Sequence, residues 1–368
     1  MNIAPSLLCV ESMFTVEPLR NFRCQLQMLQ LLLPSIVLGV DESAGGRVFT
    51  KEWLNFQLEE NLLPSVDSLY VIHAIYDSEE DPPSKFWFHT HGLLRCGMPE
   101  VDLIFPHSLG DYYGIDSLIH AFVGKCLNEG KVIFNEPVVC GQTEEAYQYL
   151  VALPFEEGIR HIQQKTLISD LPDLKDMHFD LEGAPEGEFL GDKADRDEYH
   201  QHPSCVLFKT TEEEQVMETF FAGYGENKST VFYRPNSETD MMSLKAQLRW
   251  SYFENLFIEY GQPKKQGLLG KLLNSKKTGA EFGFMIKCGI PVEEDDGREH
   301  MWFIPREMNG NSFQGELINT PFFVKNMKNG GIYSLTNEQI TDWTVYHDGE
   351  QYTPDTIYKL LSQSKRVH

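Results

Sequence analysis

Basic residues are scarce in this sequence. It contains 31 lysine and arginine residues against 55 aspartate and glutamate residues, which gives a net charge of -24 at pH 7. A surface with this balance repels the phosphate backbone of nucleic acids and the headgroups of anionic lipids. We therefore expect neither nucleic acid nor a membrane as a partner. The same charge suits solubility in general and, as a narrower alternative, association with a basic protein.

Paired cysteines and a long apolar run are also missing. The seven cysteine residues are scattered and include no C-x-x-C pair that would indicate a zinc site or a redox centre. The longest apolar stretch, residues 26–40, is interrupted by Gln27, Gln30 and Pro34, and it is shorter than the roughly 20 residues of a membrane span. The first residues lack the pattern of a secretion signal. These features predict reduced thiols in a soluble, cytoplasmic protein.

Common functional signatures are absent as well. No repeat with a period of about 20 to 50 residues occurs, which argues against solenoids and propellers. The sequence has no glycine-rich phosphate loop, no G-x-S-x-G elbow and no H-E-x-x-H motif, so the usual nucleotide-binding and protease signatures are missing. We predict no cofactor on this basis, with zinc as the alternative discussed below.

Consecutive strands are predicted in the N-terminal part. Residues 68–77, 85–93 and 100–106 are rich in aromatic and β-branched residues and are separated by proline, glycine and acidic residues. Apolar residues then recur at helical spacing from Ile115 to Cys126, and Gly130 follows as a C-terminal cap. The pattern favours the α+β class, with an N-terminal antiparallel sheet and helices on one of its faces.

The chain is long enough for more than one hydrophobic core, and its 368 residues favour at least two domains. We expect an N-terminal α+β domain at residues 1–169. Residues 170–236 are predicted to form an acidic connection with additional strands packed on that domain, because acidic residues dominate residues 170–198 without an apolar period. Residues 237–368 should form a smaller antiparallel sheet domain with flanking helices, the last of which is expected to begin at Pro354.

Short motifs in the C-terminal part carry a family resemblance. They are residues 299–303 (EHMWF), 314–321 (QGELINTP), 331–333 (GIY) and 340–343 (ITDW). Their order resembles the YegJ-type domain family of bacteria, which has no established activity, over residues 282–361. The N-terminal part, through Trp53 and residues 69–73 and 87–93, is similar to a second uncharacterised bacterial family that often precedes the first. Neither resemblance implies a catalytic residue.

One histidine pattern points to metal chemistry. His89 and His91 form an H-x-H motif, and Asp102 follows eleven residues after the second histidine. This spacing resembles the ligand pattern of isopeptidase-type zinc hydrolases, in which two imidazoles and one carboxylate leave a fourth zinc position for an activated water. An upstream glutamate, Glu59 or Glu60, would be the general base in such an enzyme.

Two features weaken the hydrolase interpretation. The related enzymes have a serine three residues before the aspartate, and this chain has Pro99 there, which cannot donate a hydrogen bond to an oxyanion. Residues two apart on a strand share a face, so His89 and His91 would also be explained by the solvent face of a half-buried strand. A metal site without catalysis and a structural or partner-binding role therefore stay open.

Other polar residues are weaker candidates. Cys96 is close to the histidine pair in sequence and would be a ligand, a nucleophile or a buried thiol. Four residues of the C-terminal motifs would form a small polar site in which a carboxylate orients an imidazole; they are Glu299, His300, Asp342 and Trp343. The alternative is that the tryptophan belongs to the core and its neighbours satisfy backbone groups.

Three functions from different classes are compatible with the sequence. The favoured hypothesis is a non-enzymatic cytoplasmic binding or regulatory protein, of the immunity type for example, whose acidic surface meets a basic partner. The second hypothesis is a metal-dependent hydrolase that uses the H-x-H and Asp102 site. The third is a structural or scaffold protein. The sequence alone favours a protein without enzymatic activity.

Overall fold

The computed structural model describes residues 7–76, 85–105, 114–143, 146–164, 178–179, 189–201, 203–212, 231–261, 282–292 and 297–364. The chain divides into two compact units. The first comprises Met1–Leu58 and Leu63–Glu238, and the second comprises Glu59–Leu62 and Thr239–His368. Most of the predicted acidic connection lies outside the described residues, and the three-part division of the sequence stays a prediction.

The first unit is built on one large sheet. Its helices are α1 (Pro18–Leu32), α2 (Lys51–Leu58), α3 (Ile115–Glu129) and α4 (Phe155–Gln164). Its strands are β1 (Leu38–Asp41), β2 (Arg47–Thr50), β3 (Val71–Tyr76), β4 (Phe86–His91), β5 (Glu100–Phe105), β6 (Val138–Gln142), β7 (Tyr147–Pro154), β8 (His178–Phe179), β9 (Ser204–Thr211) and β10 (Val231–Phe232). Strands β1 and β2 form a separate hairpin, and the large sheet has the order β10-β6-β7-β9-β5-β4-β3, with β8 paired to β9. The local patterns that predicted β3, β4, β5 and α3 are confirmed.

Strand β9 gives this sheet its mixed character. It lies between β5 and β7, and it pairs in parallel with β5 and antiparallel with β7. The remaining pairs of the sheet are antiparallel. The α+β class is confirmed, and the parallel pair is an addition to the antiparallel sheet that the sequence predicts.

Helices cover both faces of the sheet, whereas the sequence predicted them on one face. Helix α3 packs on one face together with Val101 and Leu103 of β5. Helix α4 packs on the other face, where Ile159 and Ile162 meet Val206 of β9. Both faces are apolar along β9, which is buried over nearly its whole length, so each face needs a covering layer.

The second unit has a fully antiparallel sheet. Its helices are α5 (Asn236–Leu248, shared with the end of the first unit), α6 (Trp250–Leu256), which continues as a π-helical turn (Phe257–Gly261), and α7 (Tyr358–Ser364). Its strands are β11 (Gly283–Pro291), β12 (Arg298–Asn309), β13 (Ser312–Leu317), β14 (Ile332–Thr336), β15 (Ile340–His347) and β16 (Glu350–Tyr352), in the order β14-β13-β12-β11-β15-β16. Phe253 of α6 is buried against Phe284 and Trp343, with ring centroids 5.5 Å from each.

Two further points concern the helices. Helix α7 begins at Tyr358 and not at Pro354, because residues 354–357 form a turn that precedes it. Thr353 caps this turn, since its side-chain oxygen accepts from Asp355 N at 3.3 Å. Within the described ranges, no helix has both the length and the apolar character that crossing a membrane requires.

Candidate functional site

A row of polar side chains crosses three neighbouring strands of the first unit. In the register of the sheet, His73 of β3 lies opposite His89 of β4, and His89 lies opposite Asp102 of β5. Residues directly opposite one another share a face of the sheet, and so do residues two apart along a strand. His73, His89, His91 and Asp102 therefore point to the same side of the sheet.

Asp102 is the centre of a buried hydrogen-bond network. Its side chain has no exposed surface. Oδ1 accepts hydrogen bonds from Trp87 Nε1 at 2.7 Å and from His89 Nδ1 at 2.5 Å. Oδ2 accepts from Arg196 Nη2 and from Ser204 Oγ, each at 2.5 Å. Burial alone would raise the pKa of Asp102, but these hydrogen bonds and the charge of Arg196 outweigh it and hold the pKa below its ordinary value.

Arg196 attaches the segment of residues 189–201 to this network. Its Nη1 donates to the carbonyl oxygen of His200 at 3.1 Å, and its Nη2 donates to that of Gly191 at 3.3 Å. The guanidinium also lies 5.0 Å from the ring centre of Trp87. Gly191 has a φ of +93°, and a Cβ there would lie 2.8 Å from Trp87, so glycine lets the segment approach the sheet closely. The segment thereby brings His200 to the polar row.

Three histidine side chains meet at this place. Among the described residues, one group of three metal-binding side chains has its nitrogen atoms within 4.8 Å of one another: His73, His91 and His200. The ring centroids of His73 and His91 are 4.6 Å apart, and those of His91 and His200 are 5.1 Å apart. His91 is buried, whereas His73 and His200 are partly exposed, so the group reaches the surface on their side.

Two imidazoles at the group have a buried nitrogen atom with no hydrogen-bond partner in the described part of the chain, namely Nε2 of His200 and Nε2 of His89. In both residues the other nitrogen, Nδ1, lies at hydrogen-bond distance from a carboxylate. His200 Nδ1 is 2.6 Å from Asp197 Oδ1, as His89 Nδ1 is 2.5 Å from Asp102 Oδ1. A carboxylate at Nδ1 fixes the tautomer that leaves Nε2 as a lone pair, which is the usual support of a metal-binding histidine.

Two histidines at this place, His73 and His89, have a lowered pKa. Burial lowers the pKa of His73, and the neighbouring His200 and His89 lower it further. Burial also lowers the pKa of His89, and its contact with Asp102 offsets this only in part. Neutral imidazole is the form that binds metal ions.

In a tetrahedral zinc centre the nitrogen atoms are about 3.3 Å apart, so the rings would move together by about 1 Å to close on an ion.

The three ligands that the sequence suggested lie next to one another, since His89 contacts Asp102 and its ring centroid is 4.7 Å from that of His91. Their role as one ligand set stays a prediction. The structure brings His91 into the group, but His89 and Asp102 are bonded to each other, and both Asp102 oxygens are occupied by donors. The sequence suggested a half-buried strand with the histidines on its solvent face. In the structure every residue of β4 is buried. The suggested base Glu60 has its Oε2 3.5 Å from Nε of Arg249.

Cys96 lies in the apolar core of the first unit. It is buried with residues of α1 and α3 on the face of the sheet that α3 covers. Burial raises the pKa of its thiol to about 12. A protonated thiol is neither a good nucleophile nor a metal ligand, so the residue has the properties of a packing side chain.

The C-terminal candidates make separate contacts. Glu299 accepts three backbone hydrogen bonds, from Phe322 N at 2.6 Å and from Phe323 N and Val324 N at 2.8 Å each, and so fixes the loop before β14. His300 Nδ1 lies 3.0 Å from Thr341 Oγ1. Neighbours on a strand point to opposite faces, so the structure does not bring the carboxylate of Glu299 and the imidazole of His300 together.

Asp342 and Trp343 also have local roles. Asp342 Oδ1 accepts from the backbone N–H of Trp343 at 2.8 Å. The Trp343 side chain is completely buried, and its Nε1 donates to the carbonyl oxygen of Ala246 in α5 at 3.0 Å. These contacts anchor α5 on the sheet of the second unit.

Sequence reasoning missed His73 and His200. His73 lies in a segment that was predicted as a strand, and the register of the β3–β4 hairpin would have placed it opposite His89. His200 had the weaker signal of an aspartate three residues before it, Asp197, which becomes its hydrogen-bond partner. Its position depends on Arg196 and Ser204, whose approach to Asp102 is a tertiary contact.

The comparisons with known proteins identify domains of unknown function. Residues 1–64 match the N-terminal model and residues 72–208 the C-terminal model described as "Protein of unknown function (DUF4026)". Residues 251–367 match a model described as "Uncharacterized protein conserved in bacteria (DUF2314)". The expected resemblance to uncharacterised bacterial families is thus confirmed, although the YegJ name is not. The histidine group and Asp102 lie within the match at residues 72–208.

Neither the curated proteins nor the solved structures gave a match to this chain.

Proposed function

We propose that the first unit binds a divalent transition-metal ion through His73, His91 and His200. The observation that carries this proposal is the convergence of three imidazoles whose nitrogen atoms lie within 4.8 Å of one another. The buried lone pair of His200 Nε2, with Asp197 at the opposite nitrogen, supports it. A buried acceptor without a partner costs about 1–3 kcal/mol, and a bound ion would remove that cost.

The ligand set defines the class of ion. Neutral imidazole nitrogen suits Zn²⁺, Cu²⁺, Ni²⁺ and Fe²⁺, whereas Ca²⁺ and Mg²⁺ prefer oxygen ligands. The net charge of -24 also favours the approach of cations over anions. Zinc is the natural probe, because three histidines form a common zinc site and zinc has no redox chemistry that complicates the measurement.

The test is calorimetric titration of the metal-free full chain, purified without a histidine tag, with Zn²⁺ alone. We expect one high-affinity site in the wild type. His91→Ala and His200→Ala should each weaken binding by more than about tenfold, because each removes a ligand. His300→Gln, in the other unit, serves as the matched control and should bind zinc like the wild type. Equal zinc binding by the wild type and by a triple variant at positions 73, 91 and 200 would refute the proposal.

The other functions suggested by the sequence stay predictions. A basic protein partner, a cytoplasmic location and a scaffold role are supported by composition alone. The hydrolase hypothesis now has a different ligand set. Its metal would be held by His73, His91 and His200 and not by His89 and Asp102. Whether such an ion could bind an external ligand depends on its fourth coordination position.

A further inference from the structure

His89 is the histidine of this region that the three-ligand group does not include. Its side chain is completely buried, and its ring centroid is 4.7 Å from that of His91 and 5.2 Å from that of His200. The two nitrogen atoms of an imidazole face in different directions. Because Nδ1 faces Asp102, Nε2 points away from that carboxylate, and the short distances between the ring centroids keep the imidazole beside His91 and His200.

The Nε2 atom of His89 lacks a partner in the described residues, although it is buried. Asp102 holds the proton on Nδ1, so Nε2 carries a lone pair and requires a donor. A buried polar atom in a native protein normally has a partner, and an ordered water is a common one. The neighbouring imidazoles would direct their own lone pairs at the ion.

Three protein ligands leave one position of a tetrahedral ion to be filled. Sites with four protein ligands are closed and structural, whereas sites with three keep a water in the fourth position. We propose that the ion bound by His73, His91 and His200 carries a water molecule that donates a hydrogen bond to His89 Nε2, and that a small anion can replace this water with the loss of that hydrogen bond. The inference rests on the proposed function and makes the site one of the open type.

Asp102 has a defined part in this arrangement. It sets the tautomer and the orientation of His89 and, through Arg196, it also holds the segment that contributes His200. One carboxylate therefore positions both a ligand and the partner of the bound water. His89 and Asp102 are positioning residues here, since neither is assigned to the ion itself.

The first test uses the wild-type full chain and so does not depend on the folding of a variant. Co²⁺ replaces zinc, and its visible absorption is recorded while sodium azide is added. We expect a saturable change in the cobalt bands, because azide takes the position of the water. An unchanged spectrum under conditions in which cobalt is shown to be bound would overturn the proposal.

A crystal structure of the zinc-bound full chain gives the second test. We expect an oxygen ligand on zinc within hydrogen-bond distance of His89 Nε2. Direct ligation by His89, with Nε2 about 2.0–2.1 Å from the ion, would overturn the proposal and make the site a closed one.

Variants at position 89 provide a third test in solution. His89→Gln keeps an acceptor oxygen and His89→Leu does not, and both should lower zinc affinity by less than about tenfold, whereas His91→Ala should lower it further. A loss in His89→Gln as large as that in His91→Ala, with the fold retained by circular dichroism, would show that His89 is a ligand. Failure of the wild type to bind zinc at all would refute the proposed function instead, so the two failures are distinguishable.

Discussion

His89 and Asp102 form a completely buried pair in which Nδ1 of the imidazole lies 2.5 Å from Oδ1 of the carboxylate. Arg196 approaches the other oxygen of the same carboxylate at 2.5 Å. The aspartate thus has a cation on one side and a neutral imidazole on the other. This relationship makes Asp102 important for both the stability and the metal affinity of the first unit.

Replacement of Asp102 by asparagine should reduce both the stability and the metal affinity of the first unit. Asp102→Asn leaves the charge of Arg196 buried without its counter-ion, which costs about 3–5 kcal/mol in comparable buried pairs. We expect the free energy of unfolding to fall by about 3 kcal/mol in urea denaturation followed by circular dichroism. The control is Asp197→Asn, whose carboxylate is 60% exposed and supports His200. It should weaken zinc binding and leave stability nearly unchanged, and an equal loss of stability in both variants would contradict this account.

Arg196 should affect metal binding mainly through His200. Arg196→Lys removes the two-pronged hydrogen bonding to the carbonyls of Gly191 and His200, and we expect zinc affinity to fall about 10- to 100-fold, as for other residues that orient a ligand. The measurement is a double-mutant cycle by calorimetry. In the His200→Ala background, Arg196→Lys should have a much smaller effect on zinc affinity, because only its contact with Asp102 then remains. An equal effect in both backgrounds would mean a general loss of structure.

Glu299, which fixes the loop before β14, should contribute to the stability of the second unit and should not affect zinc affinity. Glu299→Gln replaces a charged acceptor of three backbone N–H groups by a neutral one, and we expect a loss of about 1–3 kcal/mol in the free energy of unfolding. Glu316→Gln is the matched control, because Glu316 pairs with the half-exposed Arg306 and should contribute less than about 1 kcal/mol. Zinc affinity should be unchanged in both variants.

His300 should make the second unit sensitive to acid. Burial, together with Lys287 and Arg298, lowers its pKa from 6.5 to about 4. Since the unfolded chain binds the proton more readily, stability is full above about pH 6.5 and is lost as the pH falls toward about 4. His300→Gln should therefore show a smaller decrease in melting temperature between pH 7 and pH 4.5 in scanning calorimetry. The other histidines of lowered pKa are the same in both proteins, so a decrease equal to that of the wild type would contradict the assignment.

The cysteine residues should differ sharply in reactivity. Cys9 and Cys24 are exposed, whereas the other five are buried. Burial raises the pKa of Cys96 to about 12 and that of Cys126 to about 11. We expect iodoacetamide at pH 8 to modify Cys9 and Cys24 in the native protein and all seven after unfolding, as measured by mass spectrometry. Fast native labelling of Cys96 would show that its environment is more open.

Local sequence patterns were sufficient for several individual elements of the fold. Strands β3 to β5 follow from their aromatic and β-branched residues and from the turn residues between them, and helix α3 follows from helical spacing and the Gly130 cap, which are properties of neighbouring residues. The parallel pairing of β5 with β9 and the position of α4 on the opposite face depend on distant segments. Alternation gives the faces of a strand but does not identify its neighbour in the sheet.

In the candidate site, too, the sequence pattern did not reveal contacts between distant segments. The spacing of His89, His91 and Asp102 drew attention to the correct strands, because all three lie within two adjacent strands. The pattern could not show that Asp102 accepts a hydrogen bond from Arg196, because Arg196 belongs to a segment that is distant in the sequence. Spacing reveals which side chains share a face, whereas the partner of each side chain is decided by tertiary packing.

The place of β9 between β5 and β7 has a consequence for biosynthesis. The chain emerges from the ribosome with His73, His89 and His91 first, and these three share a hairpin that can form early. The third proposed ligand, His200, lies four residues before the first residue of β9, which is placed between two strands that are made before it. A nascent first unit that ends before β9 already contains His200 but lacks Ser204, which bonds both Arg196 and Asp102. The segment that contributes His200 would then be held less firmly, so tight binding of zinc would report that the central sheet has been completed.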